Sequence, residues 1–194
     1  MNPLVGVLAL QGAFAAHIEC VESLGVSALE VRTPEQLQNV DALVMPGGES
    51  STMSQLLLSS GLFDAIAQRL AEGMPTFGTC AGMILLASEV LDGRSDQRSF
   101  GAIDVSVRRN AFGRQIDSFE SEIETPFGDF HGVFIRAPRI ERVGTDVEVI
   151  GRLGNEPVLV RQGNVLAASF HPELSGDARL HDYFVTTMTT ARKV

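Results

Sequence analysis

Thr76-Phe77-Gly78-Thr79-Cys80-Ala81-Gly82-Met83-Ile84-Leu85-Leu86 is the stretch on which the fold class turns. A short apolar strand, Met74 to Phe77, runs into a Gly-x-Cys-x-Gly turn, and the spacing predicts a helical run from Met83. Glycines on both sides of the cysteine suit a sharp strand-to-helix turn, where a Cβ has little room. Such an elbow lifts the sulfur above the sheet, with the next N–H groups and a helix N-terminus turned toward it. That positive end suits a thiolate, the form in which cysteine attacks. An isolated cysteine at a strand end is more often plain core. The two glycines and the partners found elsewhere in the chain argue for a nucleophile.

Upstream, Leu4-Val5-Gly6-Val7-Leu8-Ala9-Leu10 is a continuous apolar run, the pattern of a strand buried on both faces. Gln11-Gly12 ends it, and Ala13 to Leu24 follows with Phe14, Ile18, Val21 and Leu24 at helical spacing. Val26 to Val31 reads as the second strand and Pro34 to Leu37 as a short helix. Asp41 to Met45 is the third strand, stopped by Pro46-Gly47-Gly48. Helices over Ser51 to Leu58 and Leu62 to Ala71 lead to the strand before Cys80. This alternation predicts an α/β fold with a parallel sheet covered by helices on both faces. Ligands of such sheets gather at the C-terminal strand ends. Gln11, Gly47 and Cys80 all stand just after strands, which predicts one shared site.

Beyond a polar loop over Asp92 to Ser99 the texture changes. Ile103 to Val107, Glu120 to Thr125, Asp129 to Ile135, Val147 to Ile150, Val158 to Arg161 and Val165 to Phe170 are short segments separated by turn residues. They predict antiparallel strands added to the same domain, closed by a terminal helix over Ala178 to Thr190. No repeat or linker interrupts the chain, so residues 1–194 read as a single domain.

Composition narrows the function. The 194 residues are 44% hydrophobic and 20% charged, which describes a soluble globular chain able to bury a sizeable core. A net charge of −9 gives no electrostatic support to a nucleic-acid partner. No apolar run reaches the length of a membrane span, and the N-terminus lacks the basic start of a signal peptide. Two cysteines do not make a disulfide framework, so a reducing cytoplasm is the expected location.

Three constellations carry chemistry. Cys80 needs a base and a carboxylate to orient that base, and Phe170-His171-Pro172-Glu173 at the end of an apolar strand offers both. His17, His131 and His181 lack such a context and read as structural or solvated, and Cys20 as core. Pro46-Gly47-Gly48-Glu49-Ser50-Ser51-Thr52 suits either a phosphate cradle or an oxyanion hole. The missing Walker lysine and the charge of Glu49 favour the oxyanion hole. Arg108-Arg109-Asn110-Ala111-Phe112-Gly113-Arg114-Gln115 and Phe134-Ile135-Arg136-Ala137-Pro138 bring arginines that suit a substrate carboxylate, or an ordinary solvated surface.

Together, Gly78-Thr79-Cys80-Ala81-Gly82, Pro46-Gly47-Gly48-Glu49-Ser50 and His171-Pro172-Glu173 resemble the class I (triad) glutamine amidotransferases. Leu8 to Ala13, Arg109 to Gln115 and Gly132 to Pro138 are similar to one branch, the glutaminase subunits of pyridoxal 5′-phosphate synthases. The resemblance implies a three-layer, flavodoxin-like, mostly parallel sheet. It implies Cys80 as nucleophile, His171 as general base and acid, and Glu173 as its orienting carboxylate. Gly47, Gly48 and Glu49 would hold L-glutamine, with Arg109, Ile135 and Arg136 as the remaining binding positions. Gly47, Gly48 and the Ala81 N–H would form the oxyanion hole.

The implied reaction is hydrolysis of L-glutamine through a cysteinyl thioester, with no cofactor and no metal. The implied partner is a separate (β/α)8-barrel synthase, a dodecamer carrying up to twelve glutaminase subunits. That synthase joins ammonia to two sugar phosphates. Gln11-Gly12, beside the site, is a candidate switch for sensing the partner. Two other readings remain open on the residues alone: a cysteine hydrolase of γ-glutamyl peptidase type, and a catalytically silent binding module on the same fold.

Overall fold

The computed structural model describes residues 3–109 and 118–188. Most of the arginine-bearing motif after Arg109 and the end of the expected terminal helix lie outside the described residues. In chain order the elements are β1 (Leu4–Leu8), α1 (Phe14–Ser23), β2 (Ser27–Val31), α2 (Pro34–Gln38), β3 (Ala42–Met45) and α3 (Ser50–Ser59). Then follow α4 (Leu62–Ala71), β4 (Thr76–Thr79), α5 (Ala81–Leu86), β5 (Ala87–Val90), β6 (Ile103–Arg108) and β7 (Ser118–Ile123). The rest comprises β8 (Phe130–Ile135), β9 (Arg139–Val143), β10 (Glu148–Leu153), β11 (Glu156–Gln162), β12 (Val165–Ala168) and α6 (Arg179–Tyr183), which runs into a π-helical turn over Phe184–Met188.

Seven strands form the main sheet in the order β10-β11-β12-β4-β3-β1-β2. From β2 to β12 all neighbours are parallel, and β11 and β10 extend the edge antiparallel. The order β2-β1-β3-β4 is the flavodoxin type, whose switch point between β1 and β3 opens a crevice at the carboxyl ends of the strands. The central strands are uniformly apolar because both faces are covered. Ala42–Met45 and Val165–Ala168 are buried along their whole length.

Two cores follow from the two faces. One packs Leu43 and Met45 against Met53 and Leu57 of α3 and Phe63 and Ile66 of α4. The other packs Val44, Phe77 and Leu166 against Val21 of α1, Phe130 and Phe134 of β8, and Leu180 and Phe184 at the C-terminal end. The second face is therefore covered partly by the β7–β8 ribbon. Side-chain caps start two of the described helices. Thr33 closes a capping box on α2, and the Glu49 carboxylate accepts N–H bonds from Ser51 and Thr52 at the start of α3.

Two strands depart from the sequence expectation. The helix after the elbow starts at Ala81 and stops at Leu86, and Ala87–Val90 turns into a strand paired with β6. An apolar run that short does not separate helix from strand by periodicity. Arg139–Val143, too polar to stand out, pairs with β6 on its other side.

Candidate active site

The elbow is built as a strained turn. Cys80 has φ +50° and ψ −107°, a conformation that side-chain-bearing residues rarely adopt. Its N–H donates to Ala168 O at 2.8 Å and its carbonyl accepts from Ile84 N at 3.2 Å, so both neighbouring elements hold it. Gly82 is required by close approach: a Cβ there would collide with the Met45 carbonyl oxygen of β3. Ala81, the first residue of α5, is buried next to Cys80 in the chain.

β12 delivers His171. Backbone bonding carries the strand past Ala168, and the His171 N–H donates to Val133 O at 2.8 Å, tying it to β8. Pro172–Leu174 then forms a single 3-10 turn that brings Glu173 back beneath the imidazole. His171 Nδ1 donates to Glu173 Oε1 at 2.8 Å, which leaves Nε2 for the sulfur. Both side chains are buried. Burial works against charge on His171, but the hydrogen bonds to Cys80 and Glu173 outweigh it and raise its pKa to about 10. Burial likewise opposes ionisation of Glu173, yet its bond from His171 and the nearby histidines hold its pKa below the usual range.

The turn after β3 closes the site from the other side. A Cβ on Gly47 would run into His171 Cε1 and lie 3.4 Å from Cys80 Cβ, so the backbone of this turn packs against both side chains. Gly12, with φ +85°, is likewise packed so that a Cβ would overlap the Gly47 carbonyl oxygen. The Gln11 side-chain oxygen accepts the Glu49 N–H at 3.1 Å. The loops after β1, β3, β4 and β12 thus meet at one end of the sheet.

A pocket of about 340 Å³ opens there, lined by Gly12, Gly47, Gly48, Glu49, Cys80, Arg109, Ile135, Arg136 and His171, among others. Ile135 brings its carbonyl oxygen 3.9 Å from Cys80 Sγ. Arg136 sits at φ +44°, a strained conformation at the end of β8. The Arg109 guanidinium is already engaged. It donates to Glu49 Oε1 at 3.0 Å, Ser51 Oγ at 2.9 Å and Gln97 Oε1 at 3.0 Å. Burial pushes the Glu49 pKa up, but the bonds from Thr52 and Ser51 bring it down to about 2.

Three contributors were not legible in the sequence. Gln97 lies in the polar loop and signals nothing by itself. His17 and His181, read as structural or solvated, are fully buried, His17 against Glu173 and His181 against His17. His131 is exposed between Glu120 and Glu122, as a solvated residue would be. Cys20, expected in the core, is only half-buried, because α1 turns that side partly outward. Among the described residues, no group of three or more His, Cys, Asp or Glu side chains is placed to hold a metal ion.

Chemically, the arrangement offers a thiol at a strained elbow, a histidine held ready for protonation, an ionised carboxylate behind it and a glycine turn against both. That set suits acyl transfer through a thioester. Comparison with known proteins points the same way. Residues 7–190 match the model of the SNO glutamine amidotransferase family. The chain is 57% identical over 187 residues to pyridoxal 5′-phosphate synthase subunit PdxT of Mycobacteroides abscessus, covering 95% of this chain and 97% of that protein. It is 54% identical to the protein of the same name from Corynebacterium jeikeium, covering 94% and 95%. A crystal structure of a glutamine amidotransferase superposes with a TM-score of 0.90 at 52% identity, covering 96% of this chain and 98% of that one. A Thermoplasma acidophilum protein described as a putative GMP synthase subunit shares the fold, with a TM-score of 0.71 at 14% identity.

Proposed function

The chain belongs to the SNO glutamine amidotransferase family, and from that premise we propose that Cys80, His171 and Glu173 hydrolyse L-glutamine for a pyridoxal 5′-phosphate synthase. The chain is the glutaminase subunit of that enzyme. One observation carries the residue assignment: the His171–Glu173 pair and the Gly47 turn converge on the strained Cys80 elbow.

The geometry supports the following steps. The Cys80 thiolate attacks the side-chain amide carbon of glutamine, and the carbonyl π pair moves to oxygen. Backbone donors of the Gly47–Gly48 turn and the Ala81 N–H receive that oxyanion. The His171 imidazolium gives its proton to the departing nitrogen, ammonia leaves, and a glutamyl thioester remains. His171, now neutral, takes a proton from water as the water attacks the thioester. Glutamate departs and Cys80 regains the thiolate beside the imidazolium. Glu173 steadies the positive imidazole in both halves.

Glu49, Arg109, Ile135 and Arg136 line the space left for the amino-acid end of the substrate. Because Arg109 is held by Glu49, Ser51 and Gln97, it acts with them as one polar wall. The partner is a synthase subunit, which we take to be a (β/α)8 barrel assembled as a dodecamer with up to twelve glutaminases. We read residues 1–194 as one glutaminase domain and the cytoplasm as its location; no described helix is long and apolar enough to cross a membrane. With the family established, the γ-glutamyl peptidase and silent-module readings have no observation in their favour.

The test is ammonia release from glutamine, measured with and without the synthase subunit, for the native chain and for Cys80→Ala. Partner-dependent ammonia that vanishes in Cys80→Ala supports the assignment. Undiminished release by the variant overturns it.

A further inference from the structure

On the far side of Glu173 from the reacting sulfur lies a pair of buried histidines that the steps above do not use. His17 comes from α1 and His181 from α6, and both are 0% exposed. His17 Nδ1 is 2.9 Å from His181 Nε2. His17 Nε2 is 3.3 Å from Glu173 Oε2 and 3.3 Å from the hydroxyl of Thr79, the residue before the nucleophile. Glu173 therefore meets His171 with one oxygen and His17 with the other.

The tautomers follow from elimination. Suppose His17 carried its proton on Nδ1 and donated to His181. Its bare Nε2 would then face a carboxylate oxygen that is buried without an aligned hydrogen bond. His181 would also bury an Nδ1–H that has no partner. Both are unfavourable in a buried site. In the opposite arrangement His17 presents an N–H to the carboxylate, and His181 Nδ1 is left a bare nitrogen instead of a buried N–H. His181 Nε2–H donates to His17 Nδ1, and His17 Nε2–H faces Glu173 Oε2.

Both rings stay neutral at physiological pH. Burial lowers His17 to about 4, against the pull of Glu173 and with the push of His171. It lowers His181 to about 3, with His17 adding to the effect and Glu173 opposing it. A neutral donor suits the place. It ties down the carboxylate without a second positive charge to compete with the His171 imidazolium.

We propose that His17, fixed in its Nε2–H tautomer by His181, is a positioning residue that holds the second oxygen of Glu173 and so keeps the first aimed at His171. This rests on the reading of Glu173 as the carboxylate that orients the base. Glu173 stands on a single 3-10 turn, and the contact from α1 adds a side-chain neighbour on the face of the carboxylate away from His171.

The experiment uses the full chain in complex with its synthase subunit. His17→Leu should lower kcat for glutamine hydrolysis about ten- to a hundredfold, the range expected for losing a close polar contact to a charged group. KM should change little. The alkaline limb of the kcat/KM profile should move to lower pH, because a misaligned carboxylate supports the imidazolium less. His17→Gln, which returns an N–H near the Nε2 position, should restore most of the rate.

A folded His17→Leu with native kcat and an unmoved limb overturns the proposal. So does a loss that Gln fails to rescue with the limb in place, the mark of simple packing. If His17→Leu does not fold, imidazole 15N shifts of the native chain decide: an Nδ1–H tautomer at His17 overturns the proposal. The outcome is separable from the function itself, since a tautomer result stands whether or not Cys80→Ala still releases ammonia.

Discussion

Cys80 is held at φ +50°, where a side chain costs on the order of 1–3 kcal/mol of backbone strain. Cys80→Ala keeps that backbone and removes one sulfur. Glutamine hydrolysis should fall to background while stability changes by about 1 kcal/mol or less, read by thermal melting beside the ammonia assay. Residual turnover above a few per cent of native would show another nucleophile. His171→Asn should be nearly as damaging, whereas Glu173→Ala should be milder. Water partly replaces an orienting carboxylate but cannot carry the proton. Equal loss of kcat in the two variants would remove the distinction between their roles.

The same groups set the pH dependence of stability. His17 and His181 have folded pKa values below the unfolded value of about 6.5, so the unfolded chain binds more protons as the pH falls. Stability should then drop from about pH 6.5 toward 4. A shift of the size at His17 corresponds to on the order of 3 kcal/mol, or roughly 6–12 °C in Tm for a chain of this length. His171 has the opposite sign: its contribution is full below about 6.5 and is lost as the pH rises toward 10. Tm plotted against pH should therefore peak near neutrality, and His171→Asn should flatten only the alkaline side. A native profile that is flat between pH 4 and 6.5 would contradict the buried neutral pair. The contrast between the histidines is also a lesson in legibility. His171 stood out because a proline and a glutamate follow it at a strand end. His17 and His181 are 164 positions apart and meet only through packing.

Among the elements, α3 joins structure to substrate. Its N-cap is Glu49, whose carboxylate accepts the Ser51 and Thr52 N–H groups and also the Arg109 guanidinium. Arg109 in turn ties that cap to Gln97 in the polar loop. Loss of Arg109 should loosen one wall of the pocket and leave the sulfur, His171 and the elbow in place. Arg109→Ala is expected to raise KM for glutamine about ten- to a hundredfold with a smaller fall in kcat. Lysine should rescue only in part, because a point charge cannot serve Glu49, Ser51 and Gln97 at once. Steady-state kinetics on the partner-bound chain decides, and an unchanged KM with lower kcat alone would remove Arg109 from substrate binding. The elements themselves were legible in proportion to their burial. The central strands read as apolar runs because both faces are covered. β5 and β9 did not, since four residues after a helix and a polar strand leave no period to recognise.

For the whole molecule, the decisive feature is that four loops from separate parts of the chain end at one edge of the sheet. The glutaminase has a reason to stay idle alone, because ammonia released into water is protonated and lost. A switch needs a part that touches both the outside and the oxyanion turn. The loop after β1 meets that need. Gln11 is partly buried and holds the Glu49 N–H, while Gly12 is exposed and leans on the Gly47 carbonyl oxygen. Movement at this loop would reach the turn expected to receive the oxyanion through these two contacts. Gly12→Ala should therefore cripple partner-stimulated hydrolysis, since its Cβ would overlap the Gly47 oxygen and the residue would be forced to φ +85°. Gln11→Ala removes one hydrogen bond without a clash. It should lower the ratio of partner-stimulated to unstimulated rate and leave synthase affinity nearly unchanged. Ammonia release is measured with and without the synthase, and affinity by titration of the complex. A Gln11→Ala chain stimulated as strongly as the native one would show that docking reaches the oxyanion turn by another route.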